Sequence, residues 1–121
     1  KQGELQADQL GESPLLLPQR ELVKNEIESW LGVDWTGFPI ILTHNLLGTA
    51  ALLVKHGMGR AITLEGAAEL RKDPELCFLP LVPPHTSGHV VAWRRGQMLP
   101  SAASKFIEFI KCFVSMIENK R

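Results

Sequence analysis

The chain alternates short apolar runs with amphipathic stretches, and this alternation predicts strands connected by helices. Residues 15–17 and 38–42 are short and almost entirely apolar, which is typical of strands that are buried on both faces. From position 20 to 31 the apolar residues recur every three or four positions, which predicts a helix with one buried face. Gly32 follows at the position where helices commonly end.

The remaining elements continue this order, so the sequence predicts an α/β domain with a mostly parallel sheet and helices on both of its faces. The first fourteen residues are polar and are expected to contribute nothing to the core. Asn45 precedes the second helix and is expected to cap it. Beyond it, the pattern predicts a helix ending near His56, strands at 60–64, 77–81 and 89–94, a short helix at 66–70, and a last helix from about 100 to 119.

The last helix carries too many apolar residues for a helix that covers a single core. Of the 16 positions from 102 to 117, 11 are apolar, so apolar side chains surround almost the whole helix. Either the helix lies at the centre of a compact lobe, or a partner surface covers it, which would be another lobe or a second copy of the chain. The second interpretation is favoured, because 121 residues offer little else to surround a terminal helix.

The composition of the chain argues against several classes of protein. Lys plus Arg and Asp plus Glu number 13 each, so no net positive charge attracts a polyanion such as DNA. No apolar run is long enough to span a bilayer, and the first residues lack the basic and then apolar pattern of a signal peptide. Cys77 and Cys112 lie among apolar neighbours and are expected to be buried free thiols, which favours the reducing cytoplasm.

Motifs for catalysis or for metal and cofactor binding are absent from the sequence. No Gly-x-Ser-x-Gly elbow occurs. Gly57-Met58-Gly59 comes after a helix and before a strand, the reverse of a phosphate loop, and is interpreted as a turn. The histidines lack metal-ligand spacing, and His85 and His89 are expected at the surface. We therefore expect no catalytic activity, no metal and no cofactor.

Polar residues follow two predicted strands directly and lead into helices. Pro18-Gln19-Arg20 ends the first strand, and Thr43-His44-Asn45 ends the second. Open α/β sheets bind ligands at the carboxyl ends of parallel strands, and helix N-termini offer free N–H groups to anions there. Arg20 could add a bidentate contact. A small, weakly anionic ligand is expected, and the alternative is plain helix capping with Arg20 in solvent.

An ordered series of short motifs also runs through the chain. It begins with Leu10-Gly11-Glu12-Ser13-Pro14-Leu15 and continues through Thr43-His44-Asn45-Leu46 and the glycine-containing segment 57–64. It ends with Cys77-Phe78-Leu79-Pro80-Leu81 and Val91-Ala92-Trp93-Arg94. Taken in this order, the motifs resemble the second half of the effector-binding domain of LysR-type transcriptional regulators, over about residues 8 to 118.

The resemblance implies a Rossmann-like lobe of a two-lobed fold similar to type II periplasmic binding proteins, with an effector in the cleft between the lobes. Residues 8–88 would form the second lobe, and the strand and helix at 89–119 would return to the first lobe. His44 stands where relatives often carry Tyr, which would make the affinity pH-sensitive. The effector-binding candidates carried over by position are Pro18, Gln19, Arg20, Thr43, His44, Asn45 and Met58.

The resemblance also implies partners: a homodimer or tetramer, and DNA bound only through a helix-turn-helix domain that is absent from this chain. The main hypothesis is a regulatory domain that couples effector binding, through closure about a hinge near Pro83, Pro84 and Trp93, to the oligomer and to transcription. The runner-up is a lobe of a solute-binding protein that serves a transporter. Less favoured are a doubly wound enzyme, which would need a nucleophile or cofactor loop at a strand end, and a pure dimerisation module.

Overall fold

A three-stranded parallel sheet is the framework of the first of two compact units. The computed structural model describes residues 3–119, and the chain divides into units of residues 1–87 and 88–121. In the first unit, β2 (Leu15–Pro18) lies between β3 (Ile40–His44) and β4 (Arg60–Ala61). Both pairings are parallel, so the predicted parallel α/β fold is confirmed. The assignment of the two units to lobes stays a prediction.

The central strand is buried on both faces. Leu15, Leu16 and Leu17 are each 0% exposed, and side chains that follow one another in a strand point to opposite faces. Both faces of the sheet are therefore covered, as the unbroken apolar run predicts. On one face, Leu15 and Leu17 join Leu10 in a core cluster. The residues packed around this cluster are Leu5, Leu31, Trp35, Phe38, Ile40, Ile62 and Leu81.

Three helices follow the three strands. Helix α1 (Glu21–Leu31) packs against β2 and ends at Gly32, which has a φ of 64°. Such a left-handed conformation is one that glycine adopts at little cost, so the predicted helix end is confirmed. Helix α2 (Leu47–Lys55) packs against β3 and β4, with Ala50 fully buried. Helix α3 (Glu65–Arg71) follows β4, which stops at Ala61 and is shorter than predicted.

The N-terminal segment was wrongly predicted to be a lead-in without core contacts. Strand β1 (Leu5–Gln6) pairs in parallel with β5 (Leu81–Val82), and Leu10 in the 3-10 helix Ala7–Glu12 is only 2% exposed. Lys1 and Gln2 lie outside the described residues. The predicted strand at 77–81 is also wrong except at its last residue, because only the end of that run meets β1.

The turn between α2 and β4 brings two backbone segments into close approach. Gly57 has a φ of 78° and Gly59 a φ of 153°, so the interpretation of this segment as a turn is confirmed. A Cβ atom on Gly59 would collide with the carbonyl oxygen of Pro14, the residue before β2. Glycine at this position therefore lets the chain enter β4 beside the start of β2, where Arg60 N donates to Pro14 O at 2.8 Å.

We predict that Gly59→Ala destabilises the protein by about 2–4 kcal/mol, because it adds backbone strain and a collision with the carbonyl oxygen of Pro14. Gly66→Ala is the matched control. Gly66 lies in α3 with nothing within 4 Å of an added Cβ, so alanine there is expected to be neutral or stabilising by up to about 1 kcal/mol. Urea unfolding followed by circular dichroism measures both. Equal stability of the two variants would contradict the close-approach argument.

The second unit contains helix α4 (Ser101–Glu118) and the segment that precedes it. None of the residues of α4 is buried, so the interpretation of α4 as the central helix of a compact lobe is wrong. The predicted strand at 89–94 is absent, because no strand of the described part of the chain pairs with this segment. Cys77 and Cys112, predicted to be buried, are exposed free thiols. Among the described residues no helix is both long and apolar enough to cross a bilayer.

Candidate functional site

The two strand ends that carry polar residues lie side by side. Pro18, the last residue of β2, is level with His44, the last residue of β3. One residue further on, the backbone N–H of Gln19 donates a hydrogen bond to the carbonyl oxygen of His44, at 2.8 Å. The parallel register therefore brings the two predicted junctions together at the carboxyl edge of the sheet.

Both helices that start at this edge begin without a side-chain cap. Arg20 is the N-cap residue of α1 and Leu46 that of α2, and neither side chain accepts a hydrogen bond from its helix. The predicted cap at Asn45 is wrong, because α2 begins one residue later, after Leu46 in an extended conformation. First-turn N–H groups without a cap remain available to anions, and the exposed side chains of Gln19, Arg20, Thr43 and Asn45 lie around them.

His44 is the least solvated polar group at this edge. Both of its ring nitrogens are shielded from solvent and have no hydrogen-bond partner among residues 3–119. Burial lowers the pKa of the His44 imidazole below its usual value of 6.5, because desolvation disfavours the charged form. The ring is therefore neutral at pH 7, with one nitrogen as a potential donor and the other as a potential acceptor.

One carboxylate lies close to this edge, and its charge is balanced. Glu21, in the first turn of α1, forms an ion pair with Lys24 at 2.7 Å. The carboxylate also lies near the positive end of the helix dipole, where negative charge is stabilised. The Arg20 side chain forms neither an ion pair nor a hydrogen bond within the described residues, so its guanidinium is the unpaired charge at the two junctions.

In a comparison with known families, the chain matches the family model described as the LysR substrate binding domain over residues 1–114. This span is most of the 121 residues. The chain belongs to the LysR substrate-binding domain family. Domains of this family have a type II periplasmic-binding-like fold and serve as ligand-sensing parts of regulators. No curated protein and no solved structure matches the chain.

In this LysR-type domain, Met58 is separated from the other six candidate residues. Met58 precedes β4, and Arg60 at the start of that strand is level with Leu15 at the start of β2. Because the strands are parallel, Met58 lies at their amino ends, whereas Pro18 and His44 lie at their carboxyl ends. The structure therefore brings together six of the seven residues and leaves Met58 at the opposite edge.

The LysR-type domain has a third strand-to-helix junction, which was not predicted from the sequence. Thr63 lies between the end of β4 at Ala61 and the start of α3 at Glu65, and its side chain is half-buried. The sequence pattern predicts a strand over residues 60–64, and Thr63 is therefore counted there as a strand residue and not as a junction residue. A polar residue between the end of a strand and the start of the next helix is the same signal that marked the other two junctions, and it identifies Thr63 as a further candidate.

We predict that His44 makes the stability of this LysR-type domain fall on acidification. The unfolded chain takes up a proton near pH 6.5, whereas the folded chain resists protonation because the pKa of His44 is lowered. The contribution of His44 is therefore complete above pH 6.5 and is lost progressively as the pH falls below it. Urea unfolding at pH 7.5 and 5.5 measures the loss, which His44→Phe should reduce.

The control for this prediction is His56→Gln, which removes an exposed histidine and should leave the loss unchanged. His44→Phe should also be at least as stable as the parent protein at pH 7.5, because it replaces a shielded imidazole without partners by an apolar ring. An undiminished loss of stability between the two pH values in His44→Phe would contradict the assignment.

Proposed function

We propose that the chain senses a small, weakly anionic effector at the carboxyl edge of its sheet and transmits binding to the assembly and DNA contacts of a transcriptional regulator. The proposed binding residues are Pro18, Gln19, Arg20, Thr43, His44 and Asn45. Membership of the LysR substrate-binding family supports the ligand-sensing role. The unpaired state of Cys77 and Cys112 supports the cytoplasm as the location.

The observation that carries the proposal is the hydrogen bond between Gln19 N and His44 O at 2.8 Å. It holds the two strand ends level, so that α1 and α2 both present uncapped first turns at one edge. Each first turn carries partial positive charge and free N–H donors. Two such turns beside the unpaired guanidinium of Arg20 favour a carboxylate or a similar anion over a cation.

The His44 ring supports a ligand that is polar as well as anionic. A shielded imidazole without partners costs about 1–3 kcal/mol relative to one that is hydrogen-bonded. A ligand whose binding moved the ring, so that a nitrogen became accessible to its acceptor or donor, would recover part of that cost. Because the folded state favours the neutral ring, such a ligand would bind more weakly once the pH falls far enough to protonate His44.

The proposal is tested by titrating the chain with acetate and succinate, and with acetamide as an uncharged analogue of acetate, while amide signals are followed by NMR. We expect the carboxylates to shift the Gln19 and Leu47 amides, and acetamide to do so much less. Arg20→Ala and Asn45→Ala should each weaken binding of the carboxylates by about tenfold, because each removes a hydrogen-bonding partner.

Arg94→Ala is the matched control for Arg20→Ala. Arg94 is an exposed arginine of the second unit, so its removal changes the net charge equally but should leave carboxylate binding unchanged. Shifts of equal size in all three variants, or shifts of Gln19 and Leu47 that acetamide reproduces in full, would count against an anion site at this edge.

The transmission step of the proposal concerns the exposed apolar face of α4. Phe106, Phe109 and Phe113 are 59%, 68% and 50% exposed, and the rings of Phe109 and Phe113 stack with centroids 6.3 Å apart. An exposed aromatic patch of this kind is typical of a surface that another protein surface covers. We propose that α4 contributes to self-association of the regulator, through which effector binding would reach the DNA-binding parts.

We predict that Phe109→Asp weakens self-association of the chain by about tenfold or more, because it puts a charge into the centre of an apolar contact. Sedimentation equilibrium over a range of protein concentrations measures the change. Leu70→Asp is the control, since Leu70 is 90% exposed but lies in α3 of the first unit. Loss of self-association in both variants, or in neither, would remove α4 from the interface.

A further inference from the structure

A cluster of three side chains holds the last segment of the first unit against α1. The indole Nε1–H of Trp30 donates a hydrogen bond to the carbonyl oxygen of Pro83, at 2.8 Å. The Trp30 ring stacks on the ring of His85, with centroids 5.0 Å apart and planes 24° apart. The Nε2 atom of His85 lies 3.0 Å from Glu26 Oε1. Together, Glu26, Trp30 and His85 are named here the α1 clamp.

The α1 clamp holds the last residues of the first unit. Pro83 and His85 follow β5 and come just before Ser87, the last residue of the first unit. The clamp residues Glu26 and Trp30 are one helical turn apart on α1, so one face of that helix holds both of them. The segment that leaves the first unit is thus tied to α1 by side chains far away in sequence rather than by strand pairing.

We propose that the α1 clamp is a proton-responsive tether, which tightens when His85 is protonated and loosens when His85 is neutral. The inference concerns residues outside the proposed effector site and does not depend on effector binding. The tether would set how firmly residues 83–87 are held to α1 as the pH changes.

Two contacts in the clamp gain from a positive charge on His85. The contact with the Glu26 carboxylate becomes an ion pair only when the imidazole is protonated. The stacking contact with Trp30 also gains, because a cation over an indole face is attracted by the ring. Histidine is the side chain that ordinarily changes charge between pH 5 and 8. Of the ionisable groups in the described part of the chain, Glu26 is the one that forms an ion pair with His85.

The test uses the exchange of the Trp30 indole proton, because this proton makes the hydrogen bond to Pro83. NMR measures its exchange rate at pH 7.5 and at pH 5.5, as a ratio to the rate of the Trp35 indole proton in the same unit. The ratio removes the intrinsic pH dependence of exchange, and urea unfolding at the same two pH values corrects for the change in global stability that His44 is predicted to cause. We expect protection of the Trp30 proton relative to that of Trp35 to rise by about two- to fivefold at the lower pH, which is the range for an exposed ion pair.

Two variants separate the charge from the packing. Glu26→Gln keeps the size of the side chain but removes the carboxylate, and it should abolish most of the rise. His85→Phe keeps a ring that stacks on Trp30 but cannot be protonated, and it should abolish the pH dependence. His56→Gln, which removes a histidine elsewhere in the unit, should retain the full rise. An unchanged ratio in the parent protein, or a full rise in either Glu26→Gln or His85→Phe, overturns the proposal.

Discussion

The structure of the first unit depends on the burial of one strand. Leu15, Leu16 and Leu17 of β2 have no exposed surface, and β2 is the strand to which both β3 and β4 pair. Leucines occupy both faces of this strand, so moving it by one residue along its neighbours would still bury leucines on each face. Burial of apolar side chains therefore does not by itself select the observed register. Two backbone hydrogen bonds mark the observed register at the ends of the strand: Arg60 N donates to Pro14 O, and Gln19 N donates to His44 O.

The same constraint determines where a ligand can be held. A central strand that is buried on both faces has no exposed side chain until it ends, so polar groups can gather only beyond its ends, as they do after Pro18 and its neighbour His44. Because the buried strands end at this edge, the helices that follow them begin there, and the side chains that come directly after the strands are exposed to solvent there. His44 is the exception, since its ring nitrogens remain shielded.

Much of the first unit could be predicted from the sequence, because local pattern and tertiary environment agree there. The unbroken apolar run at 15–17 identified the central strand, and the glycine at position 32 identified a helix end. Strand pairings between residues that are far apart in the sequence could not be predicted, because the local pattern of apolar residues does not indicate them. Leu5 lies in a polar segment and becomes a strand residue only because Leu81 meets it, whereas the segment 89–94, although largely apolar, forms no strand in the described part of the chain. The position of Met58 relative to the other candidates likewise follows from strand direction and not from composition.

The aromatic surface of α4 has a practical consequence for handling the protein. Dyes that fluoresce on apolar surfaces are used to follow thermal unfolding, on the premise that folded proteins leave them dark. Here the native chain already presents stacked phenyl rings of Phe109 and Phe113 to solvent. Wherever self-association does not cover α4, such a dye would already bind the folded chain before heating, so intrinsic signals from the backbone are the appropriate probes of folding.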